Sequence, residues 1–163
     1  MVSTGRPSMT FQIRGLEAEA FAPLFRLSDK DLESIGAQRV YADEADAYPC
    51  RVSLTRVPVG KELLLVNHVH QPAPSSPYRA SGPIFVSRSA TTGHYLGELA
   101  PILKNRLLSL RAYDAAALIV DAEVAEGETV VEVIGRFLAD PQVAHVDAHF
   151  ARRGCFAARI ERA

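Results

Sequence analysis

Four of the ten prolines fall in one stretch, Asn67–Val86, which reads NHVHQPAPSSPYRASGPIFV. It joins two apolar segments, Leu63–Val66 and Ile84–Val86. Pro72, Pro74 and Pro77 each fix φ near −65° and remove a backbone donor, so no helix can run through this region. They also push Gln71, Ala73 and Ser76 toward extended conformations. The chain is therefore committed to a stiff, extended connection between two short apolar elements. Gly82-Pro83 predicts a sharp bend into the second of them, with Gly82 in a conformation that a Cβ would oppose. Loops carry function more often than the elements they connect, so chemistry is sought here first. Arg79 and Tyr78 would suit an anionic or polar ligand. The same prolines also suit a plain surface crossover that limits the entropy of the unfolded chain.

The flanking sequence reads as an α+β domain over residues 10–163, a mixed and mainly antiparallel sheet with helices packed on it. Residues 1–9 are expected to be disordered. Thr10–Arg14, Gln38–Tyr41, Cys50–Thr55, Glu62–His70, Pro83–Arg88, Arg106–Tyr113, Ala117–Val124, Val143–Phe150 and Cys155–Glu161 are read as strands, most from period-two alternation. Glu62–His70 is apolar on both faces in its middle, which predicts a central strand. Phe21, Leu24 and Phe25 sit at helical spacing within Glu17–Leu27. Ser28 would cap a helix ending at Gly36. Tyr95–Asn105 is expected to hold a short helix broken by Pro101. After Glu126-Gly127, Val130, Val131, Val133, Ile134, Phe137 and Leu138 form an apolar stripe, with Glu132 and Arg136 paired on the other side.

Composition narrows the function classes. Formal net charge is −1 and there is no basic stripe, so nucleic-acid binding is not expected. No apolar run approaches the roughly 18 residues that span a bilayer, and MVSTGRPSMT lacks a secretory core. Two distant cysteines make neither a disulfide framework nor a zinc knuckle. A cytoplasmic protein with reduced thiols is expected, with no membrane partner, and homo-oligomer formation is left open.

Two constellations could carry chemistry. His68 and His70 lie two apart on a strand end and point to one side. His145, Asp147 and His149 line one side of a later strand. The outer two of that set are roughly 13 Å apart on a straight strand, so at most two of the three could share an ion. A site would form only if the two strand ends met. No third ligand follows His70, where Gln71-Pro72-Ala73-Pro74 stands, so no metal is expected. The polar face of the later strand is expected to meet water. Cys50, beside Arg51, is the candidate nucleophile, although buried structural cysteine is the commoner fate. Walker, Rossmann, nucleophile-elbow and His-Glu-x-x-His patterns are absent.

Pro49-Cys50-Arg51, Gly60-Lys61-Glu62-Leu63-Leu64-Leu65 and Ser76-Pro77-Tyr78-Arg79-Ala80-Ser81-Gly82-Pro83-Ile84-Phe85-Val86 occur in that order, and Arg153-Gly154-Cys155-Phe156 closes the chain. This series resembles a bacterial family catalogued as number 1203 of the domains of unknown function. The resemblance spans about Phe11 to Arg162. It implies a shared fold and brings no activity, cofactor or catalytic residue.

The leading expectation is a pocket for a small polar or anionic ligand beside the 67–86 stretch. Arg51, Tyr78, Arg79, Ser81 and Gly82 would line it, with His68 and His70 at the rim. An enzyme using Cys50 or a His-bound metal is the first alternative. An interaction module without a small-molecule site is the second.

Overall fold

The computed structural model describes residues 10–163, and the expected disordered segment 1–9 lies outside them. Alternating segments become nine strands among the described residues: β1 (Phe11–Arg14), β2 (Gln38–Tyr41), β3 (Glu62–Gln71), β4 (Ala80–Ser87), β5 (His94–Leu96), β6 (Leu108–Tyr113), β7 (Ile119–Ala125), β8 (His145–Phe150) and β9 (Phe156–Arg162). Two α-helices, α1 (Asp29–Ser34) and α2 (Thr129–Ala139), complete an α+β fold. The strands divide into two antiparallel sheets, ordered β5-β1-β9-β8-β6-β7 and β2-β3-β4. The apolar β3 is the central strand of its sheet, as its sequence predicts.

Each sheet has its own apolar core. One face of the six-stranded sheet presents Leu108, Leu110, Val146, Ala148 and Ile160 to Val130, Val133, Ile134, Phe137 and Leu138 of α2. The smaller core joins Leu63, Leu64, Ile84 and Val86 to Phe25, Leu32, Cys50 and Val52. Opposed residues of an antiparallel pair share a face. Ser109 opposes His149, Arg111 opposes Asp147, Tyr113 opposes His145, and Asp147 opposes Arg159. The second face of the large sheet is therefore polar across three strands. At its centre it does not meet water. Asp147 and His149 are fully buried, because the end of β3 lies over them. The fold thus has a polar seam between two apolar cores.

Local signals explain the helices. The Ser28 hydroxyl accepts from the Asp31 N–H at 3.1 Å and caps α1, which Gly36 ends at φ +74°. In α2 the stripe is buried except for Val131, which faces solvent. Arg136 pairs with Glu123 on β7 at 3.0 Å rather than with Glu132, so it braces the helix against the sheet. The 17–27 and 95–105 segments form only 3₁₀ turns, at Ala18–Ala20, Ala22–Arg26 and Pro101–Leu103, with β5 preceding the last.

Two further expectations give way. The 67–86 stretch is mostly a hairpin. β3 runs on through Gln71 and β4 starts at Ala80, leaving 72–79 as the connection. Gly82 pairs with His68 inside β4, outside the left-handed region and with open space where a Cβ would go. The bend it was expected to make is absent, and Gly82→Ala should stabilise by about 0.4–1 kcal/mol by restricting the unfolded chain. Cys50–Thr55 is a turn, not a strand. The Leu54 N–H bonds to the Cys50 carbonyl at 2.9 Å, Leu54 takes φ +60°, and Arg51 is as buried as its apolar neighbours.

That turn is clamped between two glycines. Leu16 N–H donates to the Arg51 carbonyl and Gly93 N–H to the Val52 carbonyl, each at 2.9 Å. A Cβ on Gly15 would lie 1.8 Å from the Val52 oxygen, and one on Gly93 2.3 Å from the Ser53 oxygen. Backbone on both sides leaves nothing flexible to move. Gly15→Ala should cost about 3 kcal/mol, the upper end of ordinary overpacking penalties. Urea unfolding reads this directly, and a loss below about 0.5 kcal/mol would show that the clamp yields freely.

Candidate metal centre

β3 brings His70, and β8 brings Asp147 and His149, to one place in the seam. One ligand atom from each lies within 4.8 Å of the others, and all three residues are buried. Strand geometry alone does not aim them so. The β3–β4 register shifts between Val69 and Gln71, at His70, and the β8–β9 register shifts between Ala148 and His149. Such irregularities redirect side chains and are frequent beside functional sites. The condition set by the sequence, that the two strand ends meet, is fulfilled: the His70 and His149 rings stand 4.9 Å apart. Phe156 stacks flat on His70 at 5.4 Å and edge-on to His149 at 5.8 Å, closing the apolar side.

The hydrogen bonds fix the chemistry of each group. His149 Nδ1 lies 2.9 Å from the Gly154 carbonyl, which can only accept. Nδ1 therefore carries the proton and Nε2 keeps a lone pair. An imidazole whose other nitrogen donates to a backbone carbonyl is the usual state of a metal-ligating histidine. Asp147 accepts from Arg159, Oδ1 from Nε at 2.9 Å and Oδ2 from Nη2 at 3.4 Å, and Arg159 also donates to the His70 carbonyl at 3.1 Å. One arginine thus ties both sheets to the carboxylate. The buried Nδ1 of His70 has no hydrogen-bond partner among the described residues, and neither has Nε2 of His145, 3.7 Å from Asp147.

Burial controls the protonation of the cluster. It pulls His70, His145 and His149 down to about 4, with nearby arginines acting in the same direction. All three are neutral at pH 7, with lone pairs free. Burial pushes the Asp147 carboxyl above its ordinary value, against the pull of Arg159. Ligands on a tetrahedral zinc, at roughly 2.0–2.1 Å, are about 3.4 Å apart, so small side-chain adjustments would bring these three onto one ion.

Of the residues expected to line a ligand pocket, Arg51, His68 and His70 all adjoin Phe156, and the others are exposed or lie in β4. Arg51 is buried with its donors committed, to Phe156 O at 2.8 Å, Pro49 O at 2.7 Å and Cys155 Sγ at 3.3 Å. Tyr78 is exposed and touches Tyr113 edge-on, while Arg79 and Ser81 are exposed. Cys50 has no exposed surface, and its Sγ accepts from the Ser53 and Ser87 N–H groups. His68 is half-buried against Phe21 and Phe156, near the cluster but outside its ligand set. Sequence reasoning missed Arg111 and Arg159. Their signal is positional, since both alternate onto the polar face with His145, Asp147 and His149.

A family model described as Protein of unknown function (DUF1203) matches residues 47–162, more than half of the chain and every residue of the cluster. No curated protein and no solved structure matches the chain.

Proposed function

We propose that this chain, which belongs to the DUF1203 family, binds a divalent transition metal through His70, Asp147 and His149. The observation that carries the reading is the convergence of three buried ligand atoms within 4.8 Å from strands of two different sheets. Two imidazoles and one carboxylate suit zinc, iron or manganese and leave coordination positions open to a further ligand. Arg159, through Asp147, and the Gly154 carbonyl, through His149, would orient the ligands from outside. The site adjoins the start of the Pro-rich connection at His70-Gln71-Pro72, so the small polar ligand sought beside that stretch would meet the metal here.

The test is metal loading followed by elemental analysis. The chain should retain about one zinc, cobalt or iron after buffer exchange. His70→Ala and His149→Ala should each weaken binding by at least about 100-fold, the upper end of what losing a mere outer-shell partner does. His94→Ala, on the far strand β5, should not. Retention of metal by the His70→Ala, His149→Ala double variant would remove the site.

A further inference from the structure

Arg111 is a cation on the polar sheet face, opposite Asp147, that the metal reading leaves unexplained. Arg159 is neutralised by Asp147, whereas Arg111 has no carboxylate within 4.0 Å among the described residues. Its Nε donates to Ser109 Oγ at 3.3 Å, and its Nη1 lies 3.5 Å from His149 Nε2. That nitrogen is the lone pair a metal would take. A bound dication would thus strip Arg111 of an acceptor and place a second positive centre beside it. Glu161 and Arg14, the other charged groups on this face, are exposed and lie on β9 and β1, across β8 from Arg111. The neighbours of Arg111 on the outer side are Ala122 and, opposite Ser109, Val124, and both are exposed. The seam therefore opens to solvent along the β6–β7 edge, beside this guanidinium.

Resting on the metal reading, we infer that the centre takes a small doubly charged oxyanion, one oxygen on the metal and others on Arg111. A guanidinium fork matches the paired oxygens of carboxylate and phosphate alike. Two negative charges offset two of the three positive charges that Arg111 and the metal add to a seam whose own carboxylate is already paired. The bound anion also replaces the acceptor that Arg111 gives up when His149 turns its lone pair to the metal.

The test uses the full chain loaded with Co²⁺, whose visible bands report coordination, titrated with malonate, inorganic phosphate and acetate. Malonate or phosphate should shift the bands and saturate, and the stronger of the two identifies a carboxylate or a phosphoryl ligand. Acetate should bind at least about ten-fold more weakly, the equivalent of about 1.4 kcal/mol. Arg111→Gln should lose at least about ten-fold in anion affinity while Co²⁺ affinity stays unchanged or rises. Arg111→Lys, which keeps the charge and loses the fork, should fall between and serves if Arg111→Gln does not fold. Unchanged anion affinity in the loaded variants, no response to either dianion, or acetate binding as tightly as malonate would each overturn the inference and leave the metal site standing. Absence of cobalt bands in the parent chain would instead remove the metal reading, and the inference with it.

Discussion

Acidification from pH 7 to about pH 4 should destabilise the metal-free protein by several kcal/mol and unfold it. His70, His145 and His149 sit at about 4 in the folded chain, against 6.5 ordinarily. Below 6.5 the unfolded chain therefore takes up protons that the folded chain refuses. Stability is intact above about 6.5 and falls as pH drops toward 4. Each unit of difference is worth about 1.4 kcal/mol, so one histidine alone contributes about 3 kcal/mol across that window. Asp147 works the other way. Its raised folded value means that protonation relieves the fold as pH falls, but it is one group against three. Urea unfolding at half-unit pH steps measures the slope. A flat profile between pH 6.5 and 4.5 would mean that the seam is hydrated and the histidines titrate freely. Saturating metal should shift the loss to lower pH, because a metal and a proton compete for the same lone pairs.

Phe137→Ala should cost about 3–5 kcal/mol, the range for deleting an aromatic ring from a closed core. Phe137 is 2% exposed and lies on the stripe that holds α2 to the six-stranded sheet. Its neighbours Val133, Ile134 and Leu138 belong to the same helix, and Val146 and Ile160 to the strands beneath. A rigid sheet cannot collapse into the space left by a ring, so most of the cavity would persist. The seam lies on the opposite face of that sheet, so metal binding should survive the substitution at a temperature where the variant is folded. A loss below about 1 kcal/mol would show that α2 is only loosely seated.

Much of the fold was legible because alternation reports directly on strands. The polar residues at 145, 147 and 149 stood out for the same reason. Their burial did not. A polar strand face reads as solvent-facing until a second sheet is placed over it, and that placement depends on contacts between residues far apart in sequence. His70 reaches Asp147 and His149 across more than 70 positions, and the bulges that aim the histidines leave no mark on a period-two pattern. Arg159 gains its role only through the register that sets it opposite Asp147. The Cys50–Thr55 error has a different origin. Its alternation is real, but the segment meets β4 through a single bridge, Cys50 to Phe85, and is gripped instead by the backbone at Gly15 and Gly93. Gly82-Pro83 misled because glycine and proline were weighed as a turn, whereas both tolerate a place in β4 beside the bulge.

X-ray absorption at the metal edge of the zinc-loaded chain reads the ligand set of His70, Asp147 and His149 itself. Two imidazole nitrogens and at least one oxygen are expected at about 2.0–2.2 Å, with one imidazole lost in His149→Ala. A shell containing sulfur at about 2.3 Å, or one of oxygens alone with no imidazole scattering, would contradict that ligand set.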